Sequence, residues 1–284
     1  MDVTNLSGKI ALVTGAGSGI GKETALAFAR RGANLIVCDV NAAGLAETAG
    51  LVRGLGREAV SHTVDVADRE QMRAFANAVH ADIPAVDILM NNAGVGLGAT
   101  FLDTDLEDWD WIIGINLRGV VHGCYFFLPK MVERGRGGHV INVSSMAGYA
   151  ANQTLCAYSA TKSAVLGLSE ALRDELEPHH IGVTAICPGI INTAITQTTP
   201  MKGKNATPEA RQAAIDFYRR RNYGPERVAE NILKAVQRNR AVAPISPEAW
   251  AFYYLKRWAP GLMARVRRAM SARMLGQAAQ GQGR

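Results

Sequence analysis

Seven short apolar runs recur along the chain: Ile10–Val13, Leu35–Cys38, Val60–Val66, Ile88–Met90, Val140–Val143, Val183–Cys187 and the weaker Val242–Ile245. Most are apolar at nearly every position. A strand with one wet face alternates, whereas a continuous apolar strand is covered on both faces, as in a parallel sheet flanked by helices. Longer stretches with helical character separate the runs: Ile20–Arg31, Ala42–Leu55, Arg69–His80, Leu106–Arg134, Leu155–Glu177 and Pro225–Arg238. Strand and helix alternating this often predict an α/β, doubly wound fold, a seven-stranded parallel sheet with helices on both faces. Two segments break the alternation. One is a 30-residue insertion over 194–223, rich in Thr and Lys/Arg, and the other is a tail over 247–284. The expected organisation is one domain over 1–246 that contains the insertion, followed by a C-terminal extension.

Composition narrows the class. The chain has 284 residues, 48% hydrophobic and 20% charged, which excludes general disorder. The formal net charge is +6, but it is unevenly spread. Residues 202–284 carry 17 basic and 5 acidic residues, and residues 1–201 carry 14 and 20. Basic character therefore belongs to the last part of the chain. No DNA-reading motif accompanies it, so a nucleic-acid partner is not expected. The four cysteines, Cys38, Cys124, Cys156 and Cys187, have no CxxC or zinc spacing, and no metal site is expected. They read as buried free thiols in a reducing compartment. The first residues lack the basic and apolar regions of a signal peptide. No uninterrupted apolar run reaches the ~18–20 residues that span a bilayer. The expectation is a cytoplasmic protein.

The candidate chemistry starts at Thr14-Gly-Ala-Gly-Ser-Gly-Ile-Gly21, between the first strand and the first helix. Gly15 suits the sharp turn, and Gly19 and Gly21 let backbone and helix approach a pyrophosphate. Free N–H groups at the helix start then face its charge. A glycine-rich stretch alone is weak, but its place at the first β–α crossing is the context a dinucleotide site requires. Asp39 closes the second strand 18 residues after Gly21, near the ~20 expected of an acidic residue that holds the adenosine ribose. That carboxylate would repel a 2′-phosphate, and Val40 and Asn41 follow it rather than a cation. The cofactor is therefore predicted to be NAD rather than NADP. The alternative is that Asp39 merely caps the next helix.

These residues carry a resemblance to the short-chain dehydrogenases/reductases, in their single-domain, NAD-preferring form. It runs from about Leu6 to Ser246. The matching motifs are TGAGSGIG at 14–21, Asp65-Val66, Asn91-Asn-Ala-Gly94, Asn116, Ser145, Tyr158-Ser-Ala-Thr-Lys162, and Pro188-Gly189 with Thr193. The resemblance implies a Rossmann fold and a catalytic set of Asn116, Ser145, Tyr158 and Lys162. It implies cofactor contacts from Gly15, Ser18, Gly19, Ile20, Gly21, Asp39, Asp65, Val66, Asn92, Ala93, Gly94, Pro188, Gly189, Ile191 and Thr193, with Tyr158 and Lys162 shared between both tasks. Asp65 and Val66 match the pair at the adenine, and Asn92 matches the residue near the adenine ribose. Ile191 and Thr193 match the clamp on the carboxamide. Asn116 would hold a water that links Lys162 to solvent.

Physical reasoning stands beside the motif. Tyr158 and Lys162, four apart, share a helix face. An isolated pair of this kind is ordinarily a surface pair, and the Ser, the Asn and the Gly-rich loop in order displace that reading. A phenol titrates near 10, so a base near neutral pH needs nearby cations, Lys162 and the oxidised nicotinamide. Ser145 would hold the substrate oxygen as charge develops on it.

The insertion matches the family's flap over the substrate. Ile195, Met201, Ile215, Phe217 and Tyr218 would line it, which leans toward a lipophilic secondary alcohol or ketone, steroid-like, terpenoid or long-chain. In the tail, Trp250, Tyr254 and Trp258 step by four, and Pro260-Gly261 breaks the helix. Leu262, Val266, Met270 and Met274 then repeat at four beside Arg265, Arg267, Arg268 and Arg273. Packing on a partner subunit is the first reading of this extension, peripheral contact with an anionic membrane is the second, and a substrate-gating or solvated tail is the third. The long helices imply a homo-oligomer, a dimer or a homotetramer. The functional expectation is an NAD-dependent alcohol dehydrogenase or ketone reductase. The alternatives are an NADPH-dependent 3-oxoacyl reductase of fatty-acid type, which Asp39 opposes, and a non-enzymatic nucleotide-sensing protein, which the intact catalytic set opposes.

Overall fold

The apolar runs pair side by side as one parallel sheet. In the computed structural model, residues 1–193, 195–203 and 206–269 are described. The strands are β1 (Ile10–Thr14), β2 (Asn34–Asp39), β3 (Ala59–Thr63), β4 (Ile88–Asn91), β5 (Gly138–Val143), β6 (Ile181–Cys187) and β7 (Val242–Pro244), in the order β3-β2-β1-β4-β5-β6-β7. Successive side chains point to opposite faces. Ala11 and Val13 join one core, with Leu26, Phe28, Val52, Ile232 and Val236, while Leu12 joins the other, with Met72, Phe75, Phe127 and Val165. The helices behind the first core are α1 (Gly19–Arg30), α2 (Ala42–Gly54) and α9 (Pro225–Gln237). Those behind the second are α3 (Arg69–Asp82), α5 (Gly119–Arg134) and α6 (Cys156–Leu176). The seven-stranded, doubly wound expectation holds. The chain winds one way from β1 to β3 and the other way from β4 onward, so a crevice opens where β1 and β4 end.

Several local expectations need correction. β3 stops at Thr63 rather than Val66, because this edge strand gives way to a turn in which the Asp65 carboxylate accepts the Ala67 N–H at 2.9 Å. The stretch Leu106–Arg134 is not one regular α-helix. It is α4 (Leu106–Ile113), a π-helical turn over Gly114–Arg118, and α5. It is also long and apolar enough, by length and composition, to cross a membrane, contrary to expectation, yet half of that apolar window is buried within the protein. Burial of this kind is what a core helix packed on a sheet shows.

The insertion forms α7 (Ile195–Thr198) and α8 (Pro208–Arg221). Ala194, its expected first residue, lies outside the described residues. The tail forms α10 (Pro247–Trp258) and a further helix, α11 (260–269). The break falls at Ala259, and Pro260 opens α11 rather than ending a helix, a position where its missing N–H costs nothing. Met263 is the buried residue of α11, whereas Leu262 is 52% exposed, so the inward position is offset by one there, while Val266 of the expected stripe is half-buried. Met270, Arg273 and Met274 lie outside the described residues.

Candidate active site

The glycine-rich turn is closed by backbone geometry. Gly15 and Gly19 have φ of 65° and 53°, values that L side chains rarely adopt. A Cβ on Gly15 would stand 2.7 Å from the Ala93 Cα, and one on Gly21 would overlap the Gly15 carbonyl oxygen. Thr14, which ends β1, braces the turn by accepting the Asn92 and Ala93 N–H groups at 3.0 and 3.1 Å. The Asn92 amide donates to the Thr14 and Gly15 carbonyls. Asn92 therefore acts on the turn itself, as a strut. Ser18 stands at the N-cap of α1 but makes no side-chain cap bond, whereas Asn41 caps α2 and Asp68 caps α3. The start of α1 thus lacks the side-chain cap that those helices have, as an anion site requires. Ile20 packs on the core beneath.

Asp39 does not cap α2; Asn41 does, through the Gly44 N–H. One Asp39 oxygen accepts the Gly17 N–H at 2.8 Å and the other the Asn41 N–H at 2.9 Å. Two bonds leave capacity for two more. Val66 is buried, and its carbonyl meets His122 Nδ1 at 2.8 Å. Across the crevice, the Pro188 carbonyl accepts the Met146 N–H, Ile191 is buried, and Thr193 approaches Gly19: a Cβ there would lie 3.6 Å from the Thr193 methyl. Glycine turn, Asp39, Asn92–Gly94 and Pro188–Thr193 thus all lie at the C-terminal ends of β1, β2, β4 and β6, around the crevice where β1 and β4 end.

Ser145, Tyr158, Lys162 and Asn116 converge at the far end of that crevice. Lys162 is buried, donates to the Val143 carbonyl at 2.9 Å, and sets its ammonium 5.8 Å from the centre of the Tyr158 ring. A Cβ on Gly94 would stand 3.1 Å from Asn116 Oδ1 and 3.3 Å from Lys162 Nζ, so both groups face the same small space. Asn116 lies in the π-helical turn, a distortion frequent at functional sites. Its side chain is committed to the chain after β4: Oδ1 accepts the Val95 N–H, and Nδ2 donates to the Val95 carbonyl and to Thr161. Ser144 donates to the Lys162 carbonyl, which leaves Ser145, itself accepting the Ala147 N–H, as the serine beside Tyr158.

Burial dominates the electrostatics. It pushes the Tyr158 phenol up to about 12, and a side-chain hydrogen bond with Ser145 partly offsets the rise. Burial also draws Lys162 down to about 8. Lys162 is not among the groups that lower the Tyr158 phenol in the protein alone, contrary to expectation. Buried thiols are also raised, Cys124 and Cys187 to about 12, so neither is poised as a nucleophile. Among the described residues no cluster of His, Cys, Asp or Glu could hold a metal ion.

The insertion lies over this end as a lid. Gly98 and Met201 form a bridge, with the Gly98 N–H donating to the Pro200 carbonyl and the Lys202 N–H to the Gly98 carbonyl, both at 2.9 Å. Lys202 pairs with Asp105 and Asp108 at 2.6 Å each. Tyr218 of α8 is near enough to Tyr158 to push its phenol further up, and burial raises Tyr218 too. Of the expected apolar wall, Tyr218 therefore faces the site, while Phe217 is 49% exposed. Tyr149, just after Ser145, donates to the Ala249 carbonyl at 2.8 Å, and Arg267 donates to the Ala151 carbonyl, so the extension closes on the same loop. These lid and tail contacts join residues distant in sequence, and no motif marks them.

The family model for short chain dehydrogenase matches residues 9–203. The chain is 45% identical over 252 residues to a Mycobacterium tuberculosis protein named "Probable oxidoreductase EphD", which covers 87% of this chain but only 43% of that protein. The chain thus spans less than half the length of that relative. It is 37% identical to the SadH protein of the same organism, across 90% of this chain and 92% of SadH. Among solved structures, a short chain dehydrogenase/reductase from Burkholderia phymatum in complex with NAD superposes with a TM-score of 0.81. That protein is 30% identical, over 92% of this chain and 96% of its own.

Proposed function

The chain belongs to the short-chain dehydrogenase/reductase family of oxidoreductases, and on that premise we propose that it interconverts a secondary alcohol and a ketone with NAD. The observation that carries the reading is the convergence of Ser145, Tyr158 and Lys162 at one end of a crevice whose other end is the glycine turn and Asp39. The turn, with the start of α1, would hold the pyrophosphate. Asp39 would take the ribose hydroxyls with its remaining capacity and repel a 2′-phosphate, and Asp65, Val66 and Asn92–Gly94 would border the adenosine. Pro188, Gly189, Ile191 and Thr193 would hold the carboxamide side. NAD supplies the hydride acceptor and a positive ring.

The chain's own groups handle the proton. Tyr158 takes it from the substrate hydroxyl, Ser145 holds that oxygen as charge develops, the positive ring of the bound cofactor would bias the phenol toward its anion, and Lys162 would hold the nicotinamide ribose. The lid would exclude water, and Tyr218 of the lid, with Tyr149 of the loop after Ser145, leans the site toward a lipophilic substrate. The exposed Leu106, Trp111, Val121 and Tyr125 on α4 and α5 support a homo-oligomer, and four free thiols support a cytoplasmic setting. For the extension, the exposed Tyr254, Trp258 and Leu262 beside Lys256, Arg257, Arg265 and Arg268 support a surface contact, with an anionic membrane as one candidate. Residues 247–269 otherwise act as part of the site's cover.

A spectrophotometric screen of secondary alcohols with NAD at alkaline pH tests the reading. The rate should rise with pH, because the phenol must lose its proton and burial holds it above its usual value. Tyr158→Phe should lower turnover by about a thousandfold while NADH binding persists. Activity within a few-fold of wild type would remove Tyr158 from its role.

A further inference from the structure

The lid leaves the sheet after β6 and returns before α9, and the two ends of this excursion lie together. The Asn192 N–H donates to the Tyr223 carbonyl at 3.0 Å. A third segment meets that junction. Glu248, in the first turn of α10, places its carboxylate on both ends. Oε1 accepts the Ile190 N–H at 3.0 Å, and Oε2 pairs with the Arg221 guanidinium at the close of α8. The approach is tight: a Cβ on Gly189 would stand 2.7 Å from Oε1. Burial works to raise this carboxyl, but the hydrogen bonds from Arg221 and Ile190 hold it below its usual value, so it is charged at neutral pH.

The chemistry demands a carboxylate here. One peptide N–H and one guanidinium converge from different segments, and a charged acceptor with two oxygens satisfies both more strongly than a neutral group. Among the described residues of the extension after Glu248, 249–269, there is no other Asp or Glu to offer Arg221. Meanwhile Tyr149, four residues after Ser145, is fixed to the next residue of α10 through the Ala249 carbonyl, and its ring centre lies 5.5 Å from that of Tyr253.

We propose that Glu248 is a positioning residue for the reaction: it sets the Pro188–Ile191 backbone and the return end of the lid in one register, so that cofactor grip and substrate cover are built as a unit. The proposal rests on the dehydrogenase reading above. Through Glu248 the C-terminal helix becomes part of the site without touching the reacting atoms.

The test uses the full chain in four forms: wild type, Glu248→Ala, Glu248→Gln and Arg221→Gln. Amide hydrogen exchange of the protein alone reads the two hinges, and a fluorescence titration reads NADH affinity. Glu248→Ala should speed exchange about tenfold at both 190–193 and 219–224 and raise the NADH Kd about tenfold. Glu248→Gln keeps an acceptor for the Ile190 N–H. Like Arg221→Gln, it should loosen 219–224 while leaving 190–193 and the NADH Kd within about threefold of wild type. Exchange unchanged at both hinges in Glu248→Ala overturns the proposal, as does an increase spread evenly over the sheet. If Glu248→Ala does not fold, a failure of Glu248→Gln and Arg221→Gln to loosen 219–224 selectively overturns it. A wild-type protein that binds no NADH overturns the dehydrogenase reading instead, and exchange in the protein alone still judges the hinge.

Discussion

The cradle at the first β–α crossing and the cover at the other end of the crevice are held by different forces. The cradle is held by the backbone. Positive φ at Gly15 and Gly19, a Gly21 with no room for a Cβ, and Thr14 and Asn92 bonded to main-chain groups leave almost no tolerance for change. The cover is held by long side chains: Lys202 on Asp105 and Asp108, Arg211 on the Gln197 and Thr199 carbonyls, Arg221 on Glu248, and Arg267 on the Ala151 carbonyl. Every one of these donors lies in the basic part of the chain. Backbone packing ties a function to a motif, whereas side-chain pins are exchangeable one at a time. On the proposed function, cofactor chemistry would stay with the cradle, while substrate choice would be free to vary with the cover.

The sharpest way to break this contrast is Gly21→Ala. The added methyl would overlap the Gly15 carbonyl and press on the Asn92 amide, and both belong to a turn that cannot relax without losing its shape. NADH affinity should fall by about a hundredfold or more, equivalent to roughly 2.7 kcal/mol, with the far side of the sheet unaffected in hydrogen exchange. Binding within a few-fold of wild type would mean that the cradle is as forgiving as the cover.

Legibility in the sequence follows the same division. Local rules reach the cradle: a strand, a glycine turn, a helix, then an acid at the end of the next strand. Periodicity reaches the sheet, because both faces of each inner strand are apolar. It fails at β3, where an edge strand yields to a turn, and at Gly114–Arg118, where one extra residue per turn changes no residue type. It misses Glu248 and Lys202 because their partners lie 27 to 97 residues away and are set only when the chain folds. The offset in α11 has a similar cause. Leu262 and Met263 are both apolar, and which one turns inward depends on how α11 docks, with Arg267 on the Ala151 carbonyl.

A smaller effect is expected where the cradle relies on a side chain. Asp39 is the cradle's charged element, and Asn41 is both its neighbour and the cap of α2. Asp39→Ala with Asn41→Arg should shift the ratio of NADH to NADPH affinity toward NADPH by about tenfold or more. Part of that change comes with loss of the Gly17 bond and of the α2 cap, so affinity for NADH should fall further than affinity for NADPH rises. An unchanged ratio would remove Asp39 from cofactor choice and leave it a purely structural acceptor of the Gly17 N–H.

The smallest effect belongs to the pin at the lid's near edge. Lys202 touches both Asp105 and Asp108, and their hydrogen bonds push its ammonium up to about 12, but the pair with Asp105 is open to solvent. Exposed ion pairs contribute little and are screened by salt. Lys202→Gln should therefore speed exchange of the Gly98 and Lys202-position amides, which bridge to the Pro200 and Gly98 carbonyls, by only about two- to five-fold. Raising salt should reproduce that gain in the wild type and add nothing in the variant. If salt loosens both proteins equally, the bridge at Gly98 is held by its own backbone bonds, and this edge of the cover would belong with the cradle.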